Sequence, residues 1–243
     1  MSLTCAANHY SPNLNNHYTY FLILGLSLAG PLALSFDKKV AFYKKWKYLF
    51  PSMILPAAFY IVWDMWFTHR SVWSFNPDHI TGMHVGNLPL EEVLFFFVVP
   101  YCCVFIYECI RCYFPQVNDR LMPSGRKVFI ILAFICFLAG MLQIDKYYTG
   151  YTFLLLSLFM ALVYLLPRFF RGFDMVSFLV SYLIVLIPFL IVNGFLTAIP
   201  VVLYDDMENL GIRIYTIPFE DMFYGMLLVM MNVAGFERMR NKK

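Results

Sequence analysis

Seven long apolar segments divide the chain and limit what it can fold into. They cover residues 18–36, 48–68, 89–110, 127–144, 151–167, 175–203 and 218–236. A membrane-spanning helix needs about 20 mostly apolar residues. Only 14% of the residues are charged, whereas soluble domains carry about 25%. We therefore predict an all-α, polytopic membrane helix bundle with about seven transmembrane helices, embedded in the lipid bilayer of the cell membrane. In the sixth segment, Pro188 and Asn193 favour a kink or an unwound turn.

The basic residues predict how these helices are oriented. If alternate loops lie on the cytoplasmic side, 15 of the 18 Lys and Arg residues fall on that side. Because cytoplasmic loops of membrane proteins are enriched in Lys and Arg, this distribution favours an outer N-terminus and a cytoplasmic C-terminus. Most of the acidic residues then belong to the outer half of the protein.

A short acidic motif occurs twice, at the start of the third and seventh segments. Each copy is a proline, one apolar residue and two adjacent carboxylic acids: Pro89, Leu90, Glu91 and Glu92, then Pro218, Phe219, Glu220 and Asp221, 129 residues later. Gly82 and Gly211 precede the two copies at the same distance. This repetition predicts two three-helix repeats, residues 1–113 and 147–243, joined by a linker with the fourth helix, residues 114–146.

The repeat also guides two further expectations about the loops. Asp64 and Asp205 each follow an apolar segment and an aromatic residue, so we match them as equivalent positions. The second loop lacks the sequence of Trp73, Phe75 and Asn76 and is expected to be the shorter one.

The acidic pairs have two interpretations that the sequence leaves open. Proline and acids suit the first turn of a helix, where Asn87 or Thr216 would cap it, so the pairs are compatible with a purely structural role. Alternatively, two carboxyl groups close together in a low-dielectric setting cannot both ionise cheaply, so one of them retains a proton. The pair would then supply a general acid and a general base.

The aromatic residues allow a similar choice. Trp63, Trp66 and Trp73 are compatible with an interfacial belt, the common location of tryptophan in membrane proteins. Together with Phe75, Tyr204 and Tyr215, they are equally compatible with a cavity that stabilises a cation through its ring faces.

Several cofactor classes lack sequence support. The seventh segment has no lysine between Pro218 and Phe236, which excludes a retinal Schiff base there. No glycine-rich dinucleotide fingerprint is found, so neither flavin nor nicotinamide is indicated. Three acids at 205, 206 and 208 resemble a metal–diphosphate site but have no second acidic cluster. We predict no cofactor, no metal and no nucleic-acid partner.

The first motif and the loop before it resemble the lycopene cyclase domain family. The resemblance is carried by Trp73, Phe75, Asn76, Thr81, Gly82, Gly86, Asn87, Leu88, Pro89, Leu90, Glu91, Glu92, Phe95 and Phe96, and residues 218–221 look like the second copy of its acidic motif. This is the small integral-membrane, flavin-independent type, which occurs as two subunits or as a fused tandem. The resemblance implies redox-neutral cyclisation of the ends of lycopene to β-rings, giving β-carotene. An acid protonates the terminal double bond, a carbocation closes the ring, and a base removes a proton.

The resemblance also implies site residues and partners. The catalytic candidates are Glu91, Glu92, Glu220 and Asp221. The substrate-binding candidates are Trp63, Asp64, Trp73, Phe75, Asn76, Phe95, Asp205 and Tyr224. Lycopene and other linear carotenoids are the expected partners, and an oligomer is possible. Two other classes stay open, a membrane transporter with paired carboxylates and a non-catalytic carotenoid-binding subunit.

Overall fold

The computed structural model describes residues 16–115 and 117–241, and side chains throughout these ranges except at 117–124. The start of the predicted first repeat, residues 1–15, lies outside the described part. The same holds for three basic residues used to predict the orientation: the side chain of Arg120, Lys242 and Lys243. Seven α-helices run in chain order: α1 (Thr19–Leu34), α2 (Trp46–His69), α3 (Leu90–Tyr113), α4 (Val117–Leu142), α5 (Tyr147–Leu165), α6 (Met175–Ala198) and α7 (Asp221–Arg240).

Five of the helical segments are long and apolar enough to cross a membrane. They are Phe42–His69, which continues into α2 from a 3₁₀ turn, together with α3, α5, α6 and residues Gly125–Leu142 of α4. Helix α1 is apolar but has 16 residues. Helix α7 is less apolar because it carries buried polar residues such as Asn232 and Glu237. The predicted all-α membrane bundle is confirmed, and the predicted outer N-terminus and the domain boundaries stay predictions.

Several helix boundaries differ from the predicted segments, most of all in α4, which begins at Val117 rather than at 127. Helix α5 begins at Tyr147, before the predicted start at 151. The apolar pattern missed this first turn because it contains tyrosine, threonine and glycine. Helix α6 runs through Asn193 without interruption, since the Asn193 amide donates to the Phe189 carbonyl oxygen one turn earlier (3.2 Å). Residues that we assigned to the ends of α6 and α7 form short strands instead.

Six short strands connect the helices at the end of the bundle where α3 and α7 begin. Strand β1 (Trp73–Phe75) pairs with β4 (Val202–Tyr204). Two hairpins lead into helices: β2 (His84–Val85) pairs with β3 (Leu88–Pro89) before α3, and β5 (Arg213–Ile214) pairs with β6 (Ile217–Pro218) before α7.

The pairing of β1 with β4 joins the two repeats through equivalent residues. The strands are antiparallel, with Trp73 opposite Tyr204 and Ser74 opposite Leu203. Two further backbone hydrogen bonds are related by the same repeat, from the Asn76 N–H to the Val201 carbonyl and from the Asp205 N–H to the Val72 carbonyl, both 2.9 Å. The two repeats are thus related by a pseudo-two-fold axis that passes through this strand pair.

The second loop is not shorter than the first and keeps its register through the turns before the acidic motif, so the expectation of a shorter second loop is wrong. Gly82 and Gly211 both have positive φ, +79° and +70°. Gly86 and Tyr215 are also equivalent, with φ of +64° and +59°. Residues 202–204 occupy the place of 73–75 in the second repeat.

The proposed match of Asp64 with Asp205 is wrong as well. Helix α2 and helix α6 are equivalent over their full length, so Asp64 corresponds to Asn193. Asp205 corresponds to Asn76, and both side chains accept a backbone N–H two residues later in the loop.

An ionic cluster holds the other end of the bundle together. The Arg240 guanidinium bonds Glu108 on α3 (2.8 Å) and Glu237 on α7 (2.7 Å). Lys45 pairs with Glu108, and Arg111 pairs with Glu237. Both glutamates are buried, whereas the cations are a quarter to a third exposed. The cluster connects the start of α2 with the ends of α3 and α7.

We expect Glu237→Gln to lower the free energy of unfolding by about 2 kcal/mol, because it removes the buried anion of Arg111 and one of the two buried anions that Arg240 bonds. The partly exposed cations keep the cost below that of a fully buried pair. Asp206→Asn is the matched control, since the Arg213–Asp206 bridge is exposed and is worth less than about 1 kcal/mol. Thermal unfolding of the detergent-solubilised protein measures both, and equal melting temperatures for the two variants would contradict the role of the cluster.

Candidate active site

The first acid of each pair, Glu91 or Glu220, bonds the loop that precedes its helix. We call these two residues the outer acids because they lie away from the central cavity, and Glu92 and Asp221 the inner acids. Glu91 Oε1 accepts the backbone N–H of Thr81 (2.7 Å), and Glu220 Oε1 accepts the backbone N–H of Leu210 (2.7 Å). Glu220 also accepts the hydroxyl of Thr149 (2.6 Å). Both glutamates are fully buried. These side chains therefore position the loop and the helix start.

The inner member of each pair accepts tyrosine hydroxyl groups. Tyr20 on α1 donates to Glu92 Oε2 (2.5 Å). Tyr148 on α5 donates to Asp221 Oδ1 (2.5 Å), and Tyr204 on β4 donates to Asp221 Oδ2 (3.0 Å). In each repeat, the first helix thus supplies a phenol to the acid at the start of the third helix.

Glu92 and Asp221 line one central cavity of about 40 Å³. Glu91 and Glu220 are not among its lining residues. The lining is otherwise mainly aromatic and aliphatic: Tyr20, Trp73, Phe75, Phe95, Tyr148, Phe189, Leu196, Val202, Tyr204, Tyr224 and Leu228, with Asn193 and Gly225. We call this the carboxyl chamber. It combines two carboxyl groups from different repeats with a wall of aromatic rings.

The rings around the chamber pack against one another at edge contacts. Trp73 lies at the centre of the group, with ring centroids 5.2 Å from Tyr148, 6.0 Å from Tyr204 and 5.8 Å from Tyr224. Tyr148 and Tyr204 are stacked at 5.9 Å. Aromatic faces carry partial negative charge, so such a wall stabilises a positive charge formed inside it.

Asp64 supports this wall from behind. It is buried on α2, and its Oδ1 accepts the indole N–H of Trp73 (2.5 Å). Its Oδ2 has no hydrogen-bond donor within the described residues. Asp64 is not a lining residue of the chamber, so it acts on the site through the orientation of Trp73.

Within residues 16–115 and 117–241, none of the salt bridges involves Asp64 or the four acids of the two motifs. Their donors are neutral groups, namely hydroxyls, an indole and backbone amides. Burial and the nearby Asp221 carboxyl raise the pKa of the Tyr204 phenol well above its ordinary value. Tyr204 therefore keeps its proton at neutral pH and donates its hydroxyl to Asp221.

Helix capping by Asn87 or Thr216 is not observed. The Asn87 amide donates to the Met65 carbonyl oxygen (2.9 Å), and the Thr216 hydroxyl bonds the Thr197 hydroxyl (2.6 Å). Neither α3 nor α7 has a side-chain cap.

A known protein family matches both repeats of the chain. The family model described as lycopene cyclase matches residues 17–110 and 145–239, more than half of the chain. The chain belongs to the lycopene cyclase family. Its two matched ranges contain helices α1–α3 and α5–α7.

One curated relative is a bifunctional lycopene cyclase/phytoene synthase from Aspergillus niger. It is 23% identical over 83 residues, which cover 32% of this chain and 14% of that protein. The matched segment is thus a small part of the relative. No solved structure matches the chain.

The substrate-binding candidates fall into three groups in this cyclase-family structure. Trp73, Phe75, Phe95 and Tyr224 line the carboxyl chamber. Asp64 and Trp63 are buried behind it. Asn76 and Asp205 lie in the loops, where their side chains accept backbone N–H groups, so the structure does not bring them to the chamber.

The remaining aromatic and acidic candidates lie outside the chamber. Tyr215 is 83% exposed. Trp66 packs against Tyr147 and Tyr151 near the outer surface of α2. The acids of the suspected diphosphate motif are occupied with loop contacts. Asp206 pairs with Arg213, and Glu208 accepts the backbone N–H of Tyr147 (3.0 Å). The hydrogen bond from Arg213 lowers the pKa of Asp206.

Tyr20 and Tyr148 are functional candidates that the sequence analysis missed. Both lie within the first two residues of an apolar helix, where tyrosine is also a common interfacial residue. The repeat offers one signal for them: each tyrosine is the second residue of the first helix of its repeat. The acids that they contact lie more than 70 residues away, so the contact itself is visible only in the fold.

We expect Trp73→Phe to lower the free energy of unfolding by about 1–3 kcal/mol, because it removes the one donor that the described residues supply to the buried Asp64 carboxyl group while keeping an aromatic ring. Adding Asp64→Asn should recover most of the loss, since asparagine already occupies the equivalent position 193 and bonds its own helix. Thermal unfolding of the wild type, both single variants and the double variant measures the coupling. Additive losses would show that the indole–carboxyl contact is not the cause.

Proposed function

We propose that this protein is a lycopene β-cyclase, an isomerase that closes the ends of lycopene into β-rings by acid–base catalysis in the cell membrane. The observation that carries the proposal is the carboxyl chamber itself. It combines Glu92 and Asp221 from different repeats with an aromatic wall, and the chain belongs to the lycopene cyclase family.

The reaction needs a proton donor, a way to stabilise a cation, and a proton acceptor. The donor transfers a proton to the terminal double bond, and the resulting carbocation is attacked by a second double bond to close the ring. The acceptor then removes a ring proton, which leaves a new double bond. One proton enters and one leaves, so substrate and product have the same composition and no electrons are exchanged with an external partner.

We assign Glu92 as the proton donor and Asp221 as the acceptor. Asp221 accepts a phenol hydroxyl on each oxygen, whereas Glu92 accepts a single hydroxyl from the part of the chain that the structure describes. Hydrogen bonds to a carboxylate stabilise its charge, so Asp221 is the better supported anion. Glu92 has fewer donors and lies among apolar rings, where a neutral acid avoids the cost of a buried charge.

The aromatic wall supplies the cation stabilisation. The carbocation forms between the two acids, where the faces and edges of Trp73, Tyr148, Tyr204 and Tyr224 surround the chamber. A cation over an aromatic face gains about 2 kcal/mol or more when water is absent. The chamber is small, so the bound end group has to displace some of its lining side chains.

Glu91 and Glu220 are positioning residues in this proposal. Their hydrogen bonds to the Thr81 and Leu210 backbone amides fix the loops that lead into α3 and α7. Glutamine keeps a carbonyl oxygen in the same place, so it can keep these bonds. Glutamine at 92, in contrast, cannot donate the proton that the reaction needs.

Conservative substitutions, expressed in a lycopene-accumulating host, can therefore distinguish the catalytic acids from the positioning acids. Glu92→Gln and Asp221→Asn should each reduce cyclic carotenoid by at least about 100-fold, the scale expected when a general acid or base is lost. Glu91→Gln and Glu220→Gln are the matched controls and should retain more than a tenth of wild-type activity. Pigment chromatography, normalised to the amount of membrane protein, measures the result.

The opposite pattern would contradict the assigned roles. Full cyclisation by Glu92→Gln would exclude it as the donor, and loss of activity in Glu91→Gln at normal protein level would give the outer acid a chemical role. Pigment that is bound but never cyclised by the wild type would favour the non-catalytic carotenoid-binding subunit.

Reaction in heavy water tests the proton transfer directly. If an exchangeable carboxyl group protonates the substrate, each new β-ring should contain one deuterium atom when the purified protein converts lycopene in D₂O. Mass spectrometry of the product should show a gain of one mass unit for one ring and two for two rings. Unlabelled product at high deuterium content would contradict proton donation by a solvent-exchanged acid.

A further inference from the structure

An apolar channel adjoins the carboxyl chamber on one side of the protein only. It lies between α1, α3 and α6, has a volume of about 170 Å³, and its lining includes Ser27, Val99, Cys103 and Val192. Its accessible lining is almost free of polar atoms. Phe95, Phe189 and Asn193 line both this channel and the chamber, so these three side chains form the boundary that the two spaces share.

The equivalent space in the second repeat is filled by aromatic side chains. Under the 129-residue repeat, Val192 corresponds to Trp63, Phe189 to Tyr60 and Phe95 to Tyr224. We call these three larger residues, Tyr60, Trp63 and Tyr224, the aromatic plug. Their ring centroids lie 4.8–5.4 Å apart.

The plug is fixed by packing and by one hydrogen bond. Tyr60 is fully buried and donates its hydroxyl to the Tyr224 carbonyl oxygen (2.9 Å). Trp63 is 6% exposed. On the outer side of the plug, a shallow apolar groove between α2 and α5 contains Val62, Trp66 and Leu155, and Trp63 forms part of its floor. The groove thus ends at the plug and does not reach the chamber.

We propose that the channel between α1, α3 and α6 binds the extended hydrocarbon chain of the substrate, while the aromatic plug closes the related route in the second repeat. This inference rests on the proposed function, since it takes a linear carotenoid as the occupant. A position directly beside the chamber and an apolar lining are the features that such a chain requires. A single open route brings one end group at a time to the shared pair of acids.

The occupant follows from the shape and chemistry of the combined space. The chamber has polar groups that suit one reacting end, and the channel offers no hydrogen-bonding partner apart from Asn193 and Ser27, whose hydroxyl already bonds the Ile23 carbonyl (2.6 Å). The Cys102 and Cys103 thiols also line the channel but are weak donors, and Cys102 already bonds the Ser27 carbonyl oxygen (3.5 Å). A long hydrocarbon with a reactive terminus therefore satisfies both parts. A polar or charged ligand would leave its groups unpaired in the channel, which costs free energy.

Two substitutions narrow the channel from different helices. Val192→Trp copies the plug residue of the second repeat, and Ser27→Phe adds a ring from α1. The matched controls place the same residues one position away, on side chains that point outwards: Ile191→Trp and Leu26→Phe, which are 56% and 77% exposed. Melting temperature and elution volume in detergent identify the variants that fold.

The probe is lycopene, and the readout is bound pigment rather than product. In the Glu92→Gln background, protein purified from a lycopene-accumulating host should retain lycopene. The added channel substitutions should reduce retained lycopene per protein at least 10-fold, whereas the two controls should leave it within twofold. Full retention in either folded channel variant would overturn the proposal.

This readout separates the channel from the proposed function. If Glu92→Gln still forms rings, the donor assignment fails, and the channel is then tested by comparing Val192→Trp with Ile191→Trp for cyclic product in the otherwise wild-type protein. If Glu92→Gln is inactive but the channel variants retain lycopene, the catalytic proposal stands and the channel proposal fails.

Discussion

The site depends on neutral hydrogen-bond donors for four buried carboxyl groups at two helix starts. Backbone amides of the loops bond Glu91 and Glu220, and phenols of the first helices bond Glu92 and Asp221. A buried acid paired with a cation would be held as the anion. Neutral donors leave these acids able to gain or lose a proton, as an acid–base site requires. Within each pair, one acid thus bonds the loop that precedes its helix, and the other bonds a phenol at the carboxyl chamber.

The fold places the acids with cationic partners and the acids with neutral donors at opposite ends. Glu108 and Glu237 are held by three cations at the ends of α3 and α7, far along the helices from Glu92 and Asp221 at their starts. The ionic cluster thus connects the helices without placing a positively charged side chain in the chamber. In the reaction that we propose, such a side chain would compete with the carbocation for the aromatic wall and for the acids.

Much of the architecture could be predicted from the sequence, because long apolar segments and a duplicated motif are local signals. The helix count, the order of the elements and the repeat all follow from them. The loop alignment failed because residues 202–204 share no side-chain identity with 73–75, although they form the same strand. Asp205 was matched with Asp64 because both are acids that follow an aromatic residue. The spacing of the repeat, 129 residues, would have matched it with Asn76 instead.

The site itself was only partly predictable. The acids and Trp73 stand out in the sequence, but the division between inner and outer acids depends on which side of a helix turn faces the chamber. The phenol donors Tyr20 and Tyr148 could not be distinguished from ordinary interfacial tyrosines. The difference between the open channel and the aromatic plug is visible only when the two repeats are compared in space, residue by residue.

Because β1 pairs with β4, the length of the two loops decides which side chains of these strands face the chamber. Side chains alternate between the two faces of a strand, so a shift of one residue turns every side chain to the opposite face. An insertion before Trp73 or Tyr204 would therefore direct one of them away from the chamber while the other stayed in place. The register of this one strand pair thus decides whether Trp73 and Tyr204 face the same cavity.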